Sequence, residues 1–160
     1  RCSHCFYWKE LGAGAKSSLS LEEIEKFLPS LKRRVSLAVT GGEPFLREDI
    51  VQICEAFCQH DKVKEIGIAT NGYDTDGITL RCREILKKVS VPISLQISID
   101  GLEETHDEIR GVHGSFKRAI RTLENFRKIQ DSNPKKFKVS VALAVQKRNY
   151  SEIKDFIDFM

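Results

Sequence analysis

Four stretches of this 160-residue chain share one pattern, in which branched or bulky apolar residues alternate with small or weakly polar ones. In Val35 to Thr40, Val35, Leu37 and Val39 alternate with Ser36, Ala38 and Thr40; in Ile66 to Thr70, Ile66 and Ile68 alternate with Gly67 and Ala69. Ile93 to Asp100 sets Ile93, Leu95, Ile97 and Ile99 against Ser94, Gln96, Ser98 and Asp100. Lys138 to Val145 sets Val139, Val141, Leu143 and Val145 against Ser140, Ala142 and Ala144. Successive side chains of a strand point to opposite faces, so each run predicts a strand with one bulky and one small face. The bulky face suits covering helices. The small face lacks the large apolar residues of a filled barrel and the Lys and Glu of a solvated sheet. It reads as the wall of an enclosed cavity able to admit a polar ligand, with an open sheet wetted on one face as the alternative.

Helical patterns separate the strands. Ser20-Leu21-Glu22-Glu23 has the form of a capping box, followed by Leu21, Ile24, Phe27, Leu28 and Leu31 at helical spacing. Pro29 should kink or shorten that helix, and Lys32 to Arg34 sit where a helix C-terminus favours cations. Asp49 to His60 places Ile50, Ile53, Cys54, Phe57 and Cys58 on one face. A further helix is expected near Leu80 to Lys88, and one capped by Ser115 carries Phe116, Ala119, Ile120, Leu123 and Phe126 before Asn133-Pro134 breaks it. Ser151 opens the last helix. Leu11 to Ser18 reads as a flexible connection, and Gly101 to Gly114 as a long polar loop with room for one helical turn. Asn71-Gly72 is a hairpin-type dipeptide, but no partner strand follows it. Strands and helices that alternate without a convincing hairpin predict an α/β fold with a parallel sheet and helical crossovers.

The length predicts one domain over residues 1–160. With 26 basic and 23 acidic residues interspersed, a net charge of +3 argues against a nucleic-acid partner. No apolar run reaches membrane-spanning length, and no signal peptide is visible. Five cysteines, an odd number, disfavour a disulfide framework and favour a reducing cytoplasm with thiols free for metal. The chain lacks an initiator Met and ends within the amphipathic run Ser151 to Met160, so a piece of a longer protein is expected.

Cys2-Ser3-His4-Cys5 is followed at once by Phe6, Tyr7 and Trp8. A Cys-x2-Cys pair alone could be half a zinc site, a redox pair or two unconnected thiols. Zinc would need two further ligands, for which His4, His60, Cys54 and Cys58 are available. Cys54 and Cys58 share the apolar face of their helix, however, and with Cys82 they read as small buried hydrophobes. The combination of motifs is more specific. Cys2 to Cys5 resembles the last two cysteines of the Cys-x3-Cys-x2-Cys loop of radical S-adenosylmethionine (SAM) enzymes. Thr40-Gly41-Gly42-Glu43-Pro44 resembles the glycine-rich motif after that family's second barrel strand. Thr70-Asn71-Gly72 matches the segment after its third strand, and Ser98-Ile99-Asp100-Gly101 the end of its fourth. His106 to Gly111, leading to Gly114-Ser115-Phe116, is similar to a branch that often carries a cluster-binding C-terminal extension.

The resemblance implies an incomplete parallel (β/α) barrel, truncated at both ends, that keeps four of six strands. It implies Cys2 and Cys5 as ligands of a [4Fe-4S] cluster whose open iron chelates SAM. Reductive cleavage of SAM would then give a 5′-deoxyadenosyl radical that takes hydrogen from a substrate. Gly41, Gly42, Glu43 and Pro44 would contact the methionyl amino group, and Asn71 and Asp100 also belong to the implied cofactor site. Gln96 and Ser98 are candidates for the ribose hydroxyls or the carboxylate, Arg118 is a candidate for the carboxylate or a surface cation, and His4 would lie against adenine. No catalytic residue is assigned. His106, Asp107 and Arg110 could touch substrate, but a solvated helical turn with local ion pairing is the preferred reading. The implied partners are a peptide or small-molecule substrate and an electron donor such as flavodoxin or ferredoxin. A zinc-stabilised α/β binding module and a degenerate barrel without a cluster are the rivals. If the cluster reading is right, sequencing the parent gene should reveal a cysteine three residues ahead of Arg1.

Overall fold

The computed structural model describes residues 2–5 and 19–160. Phe6 to Trp8 and the expected connection from Leu11 to Ser18 lie outside the described residues. The described elements run α1 (Leu21–Phe27), β1 (Val35–Val39), α2 (Ile50–Gln59), β2 (Val63–Thr70), α3 (Thr75–Lys88), β3 (Ile93–Ser98), α4 (Glu103–Arg110), α5 (Ser115–Ser132), β4 (Phe137–Ala142) and α6 (Ile153–Phe159). Among the described residues the strands form one sheet in the order β1-β2-β3-β4, with every neighbouring pair parallel. The expected α/β alternation is therefore the observed one.

Register carries the strand pattern across the sheet. Leu37 pairs with Ile66, Ile68 with Leu95, and Leu95 with Val139, so the bulky residues form rows on one face. Ile66, Ile68, Ile93, Leu95 and Ile97 are buried there against Ile53 and Phe57 of α2, Ile78 and Ile85 of α3, and Leu123 and Phe126 of α5. The opposite face differs from the enclosed cavity expected of it. Ser36, Ala38, Ser94 and Gln96 are exposed, and Gly67 and Ser98 are half-buried. Four parallel strands do not curl far enough to supply a facing wall, since closure of a filled barrel takes about eight. The small face is an open trough.

Local signals explain most boundaries. The capping box forms: Ser20 Oγ accepts from the Glu23 amide at 3.1 Å, and Glu23 Oε2 accepts from the Ser20 amide at 2.8 Å. Pro29 ends α1 early, and the chain continues as a 3₁₀ turn over Leu28–Ser30. Lys32 to Arg34 thus lie past the helix end rather than on its last turn, and Arg34 Nη2 donates to the Val63 carbonyl at 2.8 Å. α3 begins at Thr75, earlier than its apolar periodicity suggests, because Asp74 accepts from the Gly77 amide at 3.2 Å.

The largest correction concerns Gly101 to Gly114. This stretch contains the eight-residue helix α4, which buries His106, Asp107 and Ile109 and ends on Gly111 at φ 66°. Only the left-handed conformation that glycine tolerates lets the chain leave there. Ser115 does not cap α5. Gly114 holds the cap position at φ 76°, and the Asp107 carboxylate supplies the acceptor, taking bonds from the Gly114 amide, the Phe116 amide and Ser115 Oγ. Among the described residues, no helix is long and apolar enough to cross a membrane.

Ile97 is fully buried beneath α5, whereas Ser94 faces the trough. Ile97→Ala should cost about 2–5 kcal/mol, and Ser94→Ala less than about 0.5 kcal/mol. Denaturant midpoints of the two variants check which face is the core.

Candidate functional site

In parallel sheets the loops after the strands' C-terminal ends converge, and here they carry the glycine motif, Thr70 to Gly72 and Asp100, with the cysteine turn docked beside them. Thr40 to Pro44 leaves β1 with Gly41 at φ +141°, a conformation side chains disfavour. A Cβ built on either Gly41 or Gly42 would meet nothing within 4 Å, so both backbones border open space. Pro44 starts a 3₁₀ turn, Pro44–Leu46, whose buried Pro44 and Phe45 fix how the loop departs.

Glu43 has a different role from the glycines beside it. Its carboxylate accepts from the Asn71 amide at 2.7 Å, Thr70 Oγ1 at 2.9 Å and the Phe45 amide at 3.2 Å. It thereby staples the loop after β1 to the end of β2. Burial raises its pKa above the usual carboxylate value, and the bonds from Asn71, Thr70 and Phe45 and the Arg110 charge only partly oppose this. Asn71 Oδ1 in turn accepts from the Tyr73 amide at 2.8 Å, which shapes the next loop.

The end of β3 supplies the other anchor. Asp100 is 1% exposed; its Oδ1 accepts from the Ala144 amide at 3.0 Å, and its Oδ2 lies 2.7 Å from Arg110 Nη2. The Asp100 amide donates to His106 Nδ1 at 3.1 Å. Arg110 reaches onward and donates from Nη1 to Cys2 Sγ at 3.7 Å. The cysteine turn docks by its backbone too: the Ser3 amide donates to the Ile109 carbonyl at 2.8 Å, and the Cys5 amide to the Cys2 carbonyl at 3.2 Å. Cys2, Gly42, Glu43, Asn71, His106 and Arg110 all line a single cleft of about 300 Å³.

His106 is 1% exposed, and desolvation first, then the Arg110 charge, push its pKa down to about 4. Its ring is neutral at pH 7. Because Nδ1 accepts from the Asp100 amide, the proton sits on Nε2.

The expected site residues divide accordingly. Cys2, Gly42, Glu43 and Asn71 come together at the cleft, with Gly41 next in the loop and Asp100 buried behind Arg110. Gln96 and Ser98 lie on the trough face of β3, outside the cleft lining. His4 is exposed, with Nδ1 3.4 Å from Gln146 Nε2. Arg118 does not join the cleft: its guanidinium sits 4.6 Å over the Tyr73 ring, in a separate depression with Asp74, Thr75, Lys117 and Arg121. Among the described residues, the cation lining the cleft is Arg110. The reading of His106, Asp107 and Arg110 as a solvated turn is likewise corrected, because His106 and Asp107 are buried and Arg110 is an internal ion-pair partner. The available signal was the placement of His106, Ile109 and Arg110 at helical spacing, on one side of a turn.

Cys54 and Cys82 are buried, and desolvation pushes both thiols up to about 12. Such thiols stay protonated and pack as apolar groups. Among the described residues, no three His, Cys, Asp or Glu side chains converge as a metal site.

Comparison with known proteins adds a lineage. The family model described as the Radical SAM superfamily matches residues 1–160. The chain is 30% identical to the Fe-coproporphyrin III synthase of Methanosarcina barkeri, over 100% of this chain and 37% of that protein. It is 32% identical to the AdoMet-dependent heme synthase of the same organism, over 95% of this chain and 41% of that one. It is also 30% identical to the antilisterial bacteriocin subtilosin biosynthesis protein AlbA of Bacillus subtilis, over 97% of this chain and 32% of that protein. The chain thus spans about a third to two-fifths of these curated relatives. In fold it is similar to the solved structure of anSMEcpe with bound AdoMet, at TM-score 0.59 and 19% identity, covering 99% of this chain and 56% of that one.

The depressed pKa of His106 sets a pH dependence. Between the ordinary value of 6.5 and about 4, the unfolded chain takes up a proton that folded His106 refuses. Stability from this residue is therefore complete above that window and is lost as pH falls through it. Denaturant midpoints measured from pH 7 to pH 4 should decline more in the wild type than in His106→Gln. Parallel curves would show that the ring is not held neutral.

Proposed function

Because this chain belongs to the radical SAM superfamily, we propose that it is the core of a radical SAM enzyme, with Cys2 and Cys5 as ligands of a [4Fe-4S] cluster beside bound SAM. The observation that carries this reading is the convergence of the cysteine turn and the glycine loop on one cleft. The donor set suits the group: Cys2 and Cys5 are free, half-buried thiols on a single turn, and thiolates are the usual ligands of such clusters. When bound, the cluster supplies one electron to the SAM sulfonium, which breaks into methionine and a 5′-deoxyadenosyl radical able to take hydrogen from a substrate.

This chain's residues bind and orient. Gly41 and Gly42 let the backbone approach the methionyl amino group, because no side chain intervenes. Pro44 and Glu43 hold that loop in place, Glu43 through its bonds to the loop after β2, and Glu43 also lines the cleft where it would contact the methionyl amino group. Asn71 faces the same space. The trough offers Gln96 and Ser98 to the ribose hydroxyls or carboxylate, and His4 would lie against adenine. Arg110, rather than Arg118, provides the positive charge next to Cys2. The relatives' names include haem-type syntheses and the biosynthesis of a bacteriocin, which supports a cofactor precursor or a peptide as substrate. The reductant is a small electron carrier such as flavodoxin or ferredoxin, and five cysteines without a disulfide among those described fit a reducing cytoplasm.

The test uses the full-length protein, purified and reconstituted anaerobically. Iron, SAM affinity and 5′-deoxyadenosine formation are measured for a panel of variants. Cys5→Ala should lose the cluster, while Cys54→Ala and Cys82→Ala should retain it with only modest loss of stability. Ser98→Leu should keep iron but lose SAM binding, since it adds bulk to the trough. Stoichiometric zinc in place of iron would favour a zinc-stabilised module instead.

A further inference from the structure

We propose that Arg110 is a positioning residue for Cys2, and that the Arg110–Asp100 pair sets the reduction potential of the cluster Cys2 would ligate. The inference rests on the cluster reading above and adds to it a residue that touches a ligand sulfur.

The geometry is that of a fork. Arg110 Nη2 lies 2.7 Å from Asp100 Oδ2, and Nη1 donates to Cys2 Sγ at 3.7 Å. A guanidinium is planar and its donors diverge at fixed angles, so the arm held by Asp100 dictates where the other arm points. The side chains are 14% and 1% exposed, so water screens the pair weakly. Asp100 is itself fixed by the Ala144 amide. Arg110 is the last residue of α4, with Gly111 turning the chain away and Ile109 accepting from the Ser3 amide. Side chain and backbone therefore grip the cysteine turn at adjacent positions.

The electrostatic consequence has a definite sign. Adding one electron makes the cluster more negative without forming or breaking a bond. A nearby cation and an N–H bond to a ligand sulfur both stabilise that reduced state and raise the potential. Asp100 opposes this by neutralising much of the guanidinium charge. Removing the carboxylate alone should thus raise the potential, whereas removing both groups should lower it, because the bond to sulfur is lost with no change in net charge. A purely structural role for Arg110 predicts neither movement.

The experiment is a potentiometric titration of the reconstituted full-length protein, with iron content measured in parallel. Asp100→Asn should reduce more readily than the wild type, and Arg110→Gln/Asp100→Asn less readily. The two should differ by at least tenfold in the equilibrium constant for reduction, about 59 mV for a one-electron couple. Arg110→Lys covers the case in which Asp100→Asn does not fold. Its point charge stays paired with Asp100 but cannot also reach Cys2, so its potential should fall below the wild type. If these proteins hold iron and titrate at the wild-type potential, tuning by the pair is overturned while the cluster reading stands. If the wild type holds no cluster, both fall together.

Discussion

A buried carboxylate at the end of a strand holds this site together. Asp100 joins four groups from different parts of the chain: the Ala144 amide, the Arg110 guanidinium, His106 Nδ1 through its own amide, and Asn149 Nδ2 through its carbonyl. Taking one partner from a buried ion pair typically costs about 3–5 kcal/mol, because the remaining charge is desolvated and uncompensated. Its value here is positional. The end of β3, helix α4 and the segment after β4 are all referenced to one side chain, and Arg110 carries that reference on to Cys2. Asn149 is fully buried and extends the reference, since its amide also donates to the Ala144 carbonyl at 2.9 Å.

Two other carboxylates work in the same way with opposite electrostatic outcomes. Glu43 and Asp107 each accept two backbone amides and one hydroxyl, and each pins a loop that has little apolar surface of its own. Desolvation wins at Glu43, whose pKa is raised. At Asp107 burial also pushes upward, but the bonds from Phe116, Gly114 and Ser115 outweigh it and hold the carboxyl below its ordinary range. The difference matters for acid behaviour. Asp107 contributes stability that is present above its unfolded pKa and lost as pH falls through the folded one, whereas Glu43 takes up its proton before the unfolded chain does.

The strands were legible because a period of two needs only a few residues to declare itself, and burial of one face forces the register. The cysteine turn and the glycine loop were legible as motifs because their spacings are uncommon, and Cys2 and Gly42 do line one cleft. α4 was not. Its eight residues, Glu103 to Arg110, hold one buried apolar side chain, Ile109, and the remaining inward positions are His106 and Asp107. A helix that buries polar groups has no apolar stripe to announce it, and the bonds that make such burial tolerable come from residues elsewhere in the sequence, Asp100 and Gly114 among them. The same blindness put Arg118 forward as the carboxylate candidate and left Arg110 as a solvated charge. Both are arginines that follow β3, on α4 and α5, and the placement of the Asp100 carboxylate brings Arg110 to Cys2. The small face was expected to line an enclosed cavity, with the open face as the alternative, for a third reason: alternation says which side chains share a face, not what stands opposite that face.

Arg118 still bears on the site, through Tyr73. The loop after β2 approaches α5 so closely that a Cβ on Gly72, at φ +70°, would come within 3.1 Å of Ala119 Cα. Thr122 Oγ1 donates to the Gly72 carbonyl at 2.7 Å and fixes that approach, and Arg118 then covers the Tyr73 ring at the cleft. α5 therefore sets the Tyr73 side of the lining while α4 sets the Cys2 side. The two helices are connected by residues 111–114, Asp107 of α4 caps the start of α5 across that gap, and the His106 ring packs edge-on against Phe116. A change in the α4–α5 angle would move Tyr73 relative to Cys2 without disturbing a single hydrogen bond of the sheet. The spacing across the cleft thus depends on the Asp107 cap between the helices together with the Asp100–Arg110 pair that ties α4 to the end of β3, polar contacts that a search for hydrophobic periodicity passes over.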